Sequence, residues 1–209
     1  MEYAQLNEAL TEATQVTTHG NVEWDSTHFC PAKALTPEEA TLFRVVPLTV
    51  VEQPTFNPLT QRCFRDGCEK IGEEWFYKWT TVELDAPELA IKLEAARAIR
   101  RAAIRAERDR RKFSGVYVSG KWIHTDTYSR TQWMGMVMMG ASIPAIEWTT
   151  MDNTTITTSQ TLASQVFQAT AALDATLFAY AKSLIALVDA SSDPTSVSIA
   201  AGWPATFEG

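Results

Sequence analysis

The stretch that organises the chain is Arg97-Ala98-Ile99-Arg100-Arg101-Ala102-Ala103-Ile104-Arg105-Ala106-Glu107-Arg108-Asp109-Arg110-Arg111-Lys112. Eight of its residues are basic and two are acidic, a local net charge of +6. The rest of the chain therefore carries −13, which gives the overall −7. The stretch closes a longer helical pattern that begins at Pro87. Asp85 is the expected N-cap and Pro87 suits the first turn, while Ala, Leu, Glu and Arg fill the interior. Glu107 and Arg111 form a favourable i, i+4 pair. A helix from Pro87 to Lys112 spans ~39 Å at ~1.5 Å per residue. The composition differs on its two sides. The sequence thus predicts an α+β protein in three parts: a β-rich module over 1–84, a long basic connecting helix over 85–112, and an α+β domain over 113–209.

Two faces of this helix invite opposite readings. Arg97, Arg101, Arg105, Arg108 and Lys112 follow steps of four, four, three and four, and so share one side. Ala95, Ala98, Ile99, Ala102, Ala103 and Ala106 form a small apolar side that lets another backbone approach closely. No aromatic residue is interleaved with the arginines to stack on bases, and the remainder of the chain is acidic. The pattern predicts protein docking rather than nucleic-acid binding. The expected protein-binding residues are Ala95, Ile99, Ala102 and Ala106, with Arg97, Arg101, Arg105 and Arg108 meeting acidic groups. Self-association through 85–112 belongs to the same expectation.

Upstream of the helix the chain reads as β-rich. Val45-Val46-Pro47-Leu48-Thr49-Val50-Val51 is a β-branched run whose Pro47 points to an edge or a bulge. Glu74 to Leu84 is aromatic and β-branched, a strong strand signal. Gln53 to Pro58 and Arg65-Asp66-Gly67 carry turn chemistry. Leu35-Thr36-Pro37-Glu38-Glu39-Ala40 begins a helix, with Thr36 as N-cap, Pro37 at the first position and Glu39 completing a capping box. The first 20 residues fit either a hairpin or a short helix.

Downstream, Phe113 to Val118 and Lys121 to His124 flank Ser119-Gly120, a two-residue hairpin turn. Ser129 to Ala141 reads as a helix ended by Pro144. Glu147 to Thr150 and Thr154 to Thr157 flank a second turn. From Ser159 to Val188, apolar residues recur at 162, 166, 169, 173, 177, 181, 184 and 188, the strongest helical stripe in the chain. The second module is therefore expected to pack its hairpins on two helices.

With 209 residues, 45% hydrophobic and 21% charged, the composition excludes wholesale disorder and fibrous repeats. Three cysteines, Cys30, Cys63 and Cys68, argue against a disulfide scaffold. The sequence from Met1 predicts no secretory leader. Trp133–Ile146 and Leu173–Val188, the most apolar stretches, fall short of a span, so no membrane insertion is expected.

Candidate chemistry is sparse. His28-Phe29-Cys30 with Cys63 and Cys68 offers four soft ligands, but their spacing departs from the Cys-x(2–4)-Cys pairs of closed zinc sites. A Cys63–Cys68 disulfide across Arg65-Asp66-Gly67 is the second reading, and three ordinary cysteines the favoured one. His124-Thr125-Asp126 admits an acid–base reading, against an Asp126 that caps the following helix. No nucleophile elbow, zinc-protease helix or phosphate loop is present. Trp133 to Met139 reads as core or as an adaptable, methionine-rich partner surface. No catalytic, cofactor or metal residue is predicted, and the protein is expected not to be an enzyme.

Several motifs resemble small bacteriophage and prophage tail proteins that carry an uncharacterised C-terminal domain. In the second half these are Gly115-Val116-Tyr117-Val118, Gly120 to Asp126, Ser129-Arg130, Glu147 to Thr150 and Gly202-Trp203. In the first half they are Val22 to Asp25, His28 to Cys30, Leu35 to Ala40, Pro54 to Gln61 and the Trp75/Trp79 strand. The resemblance implies a virion tail component made in the bacterial host cytoplasm and associated with the tail fibre or baseplate. Its implied partners are tail-fibre or baseplate proteins. A tail-fibre assembly chaperone is the alternative within that setting, and a tail-borne cell-wall or glycan hydrolase the alternative outside it.

Overall fold

The computed structural model describes residues 2–17, 21–25 and 28–207, with the backbone alone for 13–17, 21–25, 28–31 and residue 33. It is an α+β protein of two compact units, 1–89 and 90–209.

In the first unit, β1 (Glu2–Leu6) and β2 (Ala13–Thr17) form an antiparallel hairpin, which decides the opening residues. β3 (Asn21–Asp25) and β4 (His28–Pro31) pair as a separate ribbon. The capping box predicts α1 (Pro37–Leu42) correctly. The Glu39 N–H donates to Thr36 Oγ1 at 3.3 Å, and the Thr36 N–H donates to Glu39 Oε2 at 2.8 Å. β5 (Val45–Thr49), β6 (Gln61–Ile71) and β7 (Glu74–Glu83) complete a five-stranded sheet of order β2-β1-β5-β7-β6. Ala4, Leu6, Leu48, Cys68, Trp75 and Tyr77 form its core.

Two local expectations are corrected here. Pro47 lies on the central strand of the sheet, not at an edge. The proline is tolerated because the parallel β5–β7 ladder engages only Leu48 and Thr49. Arg65-Asp66-Gly67 is not a turn between strands. It is an irregularity inside β6, where the register with β7 shifts between Arg65 and Cys68 and Gly67 takes φ +76°.

The helix α2 runs from Ala86 to Lys112. The Glu88 N–H donates to Asp85 Oδ1 at 2.8 Å, as expected of the N-cap. In the second unit it is followed by β8 (Val116–Val118), β9 (Lys121–Ile123), α3 (Thr127–Met139), β10 (Glu147–Thr149), β11 (Thr155–Thr157) and α4 (Gln160–Ala190). Ser119 and Gly120, at φ +54° and +80°, make the tight β8–β9 turn. α3 stops at Gly140, four residues before Pro144. Val116, Val118, Ile123, Trp133, Met136, Leu162, Ala163 and Val166 form one core, in which the hairpins pack on α3 and the first half of α4.

A second core joins Ile104 of α2 to Ala181, Leu184 and Val188 of α4, with Val197, Ile199 and Trp203 of the C-terminal segment packed against it. This corrects the division into three parts. Residues 90–112 are not a bare connector, because Ile104 is fully buried against α4. The helices run antiparallel, since Arg97 meets Ser191 and Lys112 meets Asp174. The helix α4, longer than the apolar stretch Leu173–Val188, is long and apolar enough in composition to cross a membrane, with a mean hydropathy of 1.5 over its most apolar 18 residues. In this fold it is the spine shared by both cores, and the predicted stripe supplies its buried face.

A chain spanning residues 90–209 should therefore melt cooperatively, whereas one spanning 113–209 should not, because it leaves Ala181, Leu184 and Val188 uncovered. Ile104→Ala should cost about 2–5 kcal/mol in chemical denaturation.

Candidate functional site

The side chains of α2 divide according to what α4 and the C-terminal segment offer them. Arg97 Nη2 donates to the Ser191 carbonyl at 3.3 Å. Arg100 Nε donates to the Pro194 carbonyl at 3.3 Å, and its Nη2 donates to the Thr195 carbonyl. Arg101 bridges Glu94 and Asp189, both at 2.7 Å. Arg108 pairs with Asp109 at 2.8 Å and lies 4.3 Å over the Phe178 ring. Arg110 and Arg111 share Glu107 at 2.8 and 2.7 Å, and Arg111 also donates to the Pro204 carbonyl at 3.3 Å. Hydrogen bonds from Arg110, and then from Arg111, hold the Glu107 carboxyl down to about 2.

The expected arginine surface is thus largely turned onto the chain itself. Arg97, Arg101 and Arg108 are only partly exposed and are engaged within the second unit, or by an immediate neighbour. Arg105 alone, of the basic residues from Arg97 to Lys112, has neither a hydrogen bond nor an ion pair among the described residues. The physical reason is burial: Ile104 faces α4, and residues three or four positions away share that face.

The opposite side of α2 is the small apolar one. Ala95, Ala98, Ile99, Ala102 and Ala106 are all exposed. Ile99 is 70% exposed, and Ile91, one turn before Ala95, is 72% exposed. These residues lie about half a turn from Ile104. Ala103 lies between the two sides and borders a cleft with Ala106, Glu107, Arg110, Ile199 and Ala200.

The last turn of α2 enters a polar joint that no sequence motif announces. Arg130 on α3 grips Asp174 on α4 through both carboxylate oxygens, at 2.7 and 3.0 Å. Its Nη2 also donates to the Lys112 carbonyl at 2.5 Å, and its Nε to the Thr125 carbonyl at 2.7 Å. Thr125, itself buried, donates to the same Lys112 carbonyl at 3.1 Å and accepts the Gly115 N–H at 2.9 Å. One guanidinium thus ties the end of α2 to the β9–α3 connection and to α4, and satisfies a helix-terminal carbonyl. Arg130 and Asp174 are 44 residues apart in sequence, and no spacing rule links them.

His124 lines a groove of about 330 Å³ beside this joint, with Arg130, Trp133, Met134, Phe167 and Asp174 also on its walls. The acid–base reading of His124-Thr125-Asp126 loses its carboxylate. Asp126 caps α3, accepting the N–H groups of Tyr128 and Ser129 at 3.0 and 3.1 Å and the Ser129 hydroxyl at 2.6 Å. The hydroxyl bond, then the backbone bonds, hold its carboxyl below the ordinary range. Trp133 and Met136 are core, as the plainer reading of 133–139 expects, whereas Met134, Met138 and Met139 are exposed. Cys63 and Cys68 are free thiols, and burial pushes the Cys68 thiol up. The side chains of His28 and Cys30 lie outside the described residues. Among the described residues no cluster of His, Cys, Asp and Glu is placed to hold a metal.

A family model described as a domain of unknown function (DUF4376) matches residues 95–201, just over half of the chain. The chain belongs to the DUF4376 family. The DUF4376 match opens within α2 and closes in the C-terminal segment, so it contains Ile104, the α3–α4 core and the Arg130–Asp174 joint. No curated protein and no solved structure matches the chain.

Arg130→Met should destabilise the second unit by about 2–4 kcal/mol, because it strands Asp174 and the Lys112 carbonyl. Loss of a comparable amount in Asp174→Asn, with little further loss in the double variant, is the signature of one shared unit in a double-mutant cycle. Glu107 has a folded-state value near 2 against an ordinary 4.5. Its contribution is present above pH 4.5 and fades as the pH falls toward 2. Glu107→Gln should therefore lower stability at neutral pH and flatten the acid limb of a stability–pH curve.

Proposed function

We propose that the protein is a non-enzymatic bacteriophage tail component, associated with the tail fibre or baseplate, which binds and positions other virion proteins. The observation that carries the docking role is the outward face of α2. A helix that is anchored on one side by Ile104 and by arginine bonds presents Ile91, Ala95, Ala98, Ile99, Ala102 and Ala106 to solvent on the other. Exposed apolar patches of this kind mark interaction sites, and small side chains allow close backbone approach. The tail setting is supported by the motif resemblance. The absence of catalysis is supported by the structural engagement of Asp126 in the α3 cap and Asp174 in the Arg130 joint.

The partner contact is assigned to Ala95, Ile99, Ala102 and Ala106. The arginines enter it only through Arg105, since Arg97, Arg101 and Arg108 are held elsewhere. Nucleic acid is a poor match for this surface, because most of the basic side chains of α2 are already hydrogen-bonded or ion-paired.

Ala102→Glu with Ala106→Glu should abolish incorporation into the tail or fibre complex while leaving the melting temperature of the isolated protein within a few degrees, because both positions are exposed. Mass spectrometry of purified virions reads the outcome. Wild-type protein in the particle, with the double variant missing, supports a tail component. Wild-type protein confined to fibre-assembly intermediates moves the assignment to an assembly chaperone.

A further inference from the structure

We infer that the outward face of α2 is covered by a second copy of this chain, through an antiparallel, two-fold pairing of the two α2 helices. The inference rests on the docking role proposed above and names the partner. Two features of this face favour self-pairing. The first is the order of large and small side chains. Ile91 stands near one end of the stripe, Ala106 at the other and Ile99 at its middle. With a two-fold axis near Ile99, Ile91 of one copy lies over Ala106 of the other. Ala95 lies over Ala102, and the two Ile99 side chains meet at the axis. Large side chains then face small ones at both ends of the seam, alanine faces alanine between, and the isoleucines meet only at the axis, so two helix backbones can approach closely.

The second feature is charge. In an antiparallel pair, residues on one flank of the stripe face the same flank of the partner helix. Glu94 and Arg105 occupy the same flank, at nearly equal distances on either side of Ile99. The proposed register therefore brings Glu94 of each copy against Arg105 of the other. Arg105 is exposed and, from Arg97 to Lys112, is the basic residue left without a partner among the described residues. The Glu94 side chain is 58% exposed although it already meets Arg101, so its carboxylate has room for a second donor. An isologous contact of this kind closes on itself as a dimer. The stripe from Ile91 to Ala106 is only ~24 Å long at ~1.5 Å per residue. The seam is therefore smaller than a standard permanent interface, and the dimer is reversible and concentration-dependent.

Sedimentation equilibrium of the full chain over a hundredfold concentration range tests this. The weight-average mass should rise from the 23.2 kDa of one chain toward twice that value. Ile99→Glu should hold it at the monomer throughout, with unchanged circular dichroism. Arg105→Glu and Glu94→Arg should each shift the midpoint at least tenfold to higher concentration. The double exchange should bring it back, because the pair is rebuilt with reversed sign, and Arg101 finds the introduced carboxylate one turn further along its own helix. A wild-type chain that stays monomeric, or a dimer indifferent to Ile99→Glu, overturns the pairing. So does a double exchange as weak as the single ones. If a monomeric wild-type chain still enters tails in an Ala102-dependent way, the self-pairing fails while the docking role stands. If it neither dimerises nor enters tails, both fail.

Discussion

The packing of α2 along α4 is the constraint from which the rest of the second unit follows. Ile104 is buried against Ala181, Leu184 and Val188, which fixes the rotation of α2 about its own axis. Once that rotation is set, Arg97, Arg100, Arg101, Arg108 and Arg111 turn toward α4 and the C-terminal segment. There they meet carbonyl groups and acidic side chains of the same chain. The same rotation leaves Ala95, Ala98, Ile99, Ala102 and Ala106 outside. A basic helix in an acidic protein thus directs most of its charge onto its own chain and presents its small apolar residues to solvent.

The C-terminal segment shows how those arginines are used. After α4 the chain makes a short 3-10 turn at Pro194–Ser196 and then runs without regular structure. An irregular segment must satisfy its carbonyl groups some other way. Arg97, Arg100 and Arg111 donate to the Ser191, Pro194, Thr195 and Pro204 carbonyls, and the Tyr180 hydroxyl donates to the Ala201 carbonyl at 2.7 Å. Trp203 packs edge-on to Tyr180, at 4.9 Å between ring centres. Gly202 allows this approach, since a side chain there would collide with the Tyr180 ring. The Phe207 N–H closes the segment by donating to the Ser114 carbonyl at 2.9 Å.

Much of this architecture is legible where local chemistry decides the outcome. The Thr36–Glu39 capping box, the Ser119-Gly120 turn, the Asp126 cap and the α4 stripe each depend on residues within a few positions of one another. The failures share the opposite property. A proline removes a ladder donor, which argues for Pro47 at an edge, but the short β5–β7 pairing makes a central position tolerable. Arg65-Asp66-Gly67 has turn composition, yet a bulge uses the same left-handed glycine without reversing the chain. Charge usually faces water, which argues for an outward arginine surface. Long-range partners such as Asp189, Ser191 and Pro204 cannot be seen from the helix alone. The Arg130–Asp174 joint escapes sequence reasoning for the same reason.

The central claim is the rotation of α2: Ile104 inward, with Ile91 and Ile99 outward. Hydroxyl-radical footprinting of the dilute protein, read by mass spectrometry, measures it on three residues of the same type in one helix. Strong oxidation of Ile91 and Ile99 with Ile104 protected is the predicted pattern. Equal labelling of Ile104 and Ile99 would contradict the packing of α2 on α4, and with it the assignment of the alanine face as the one that docks.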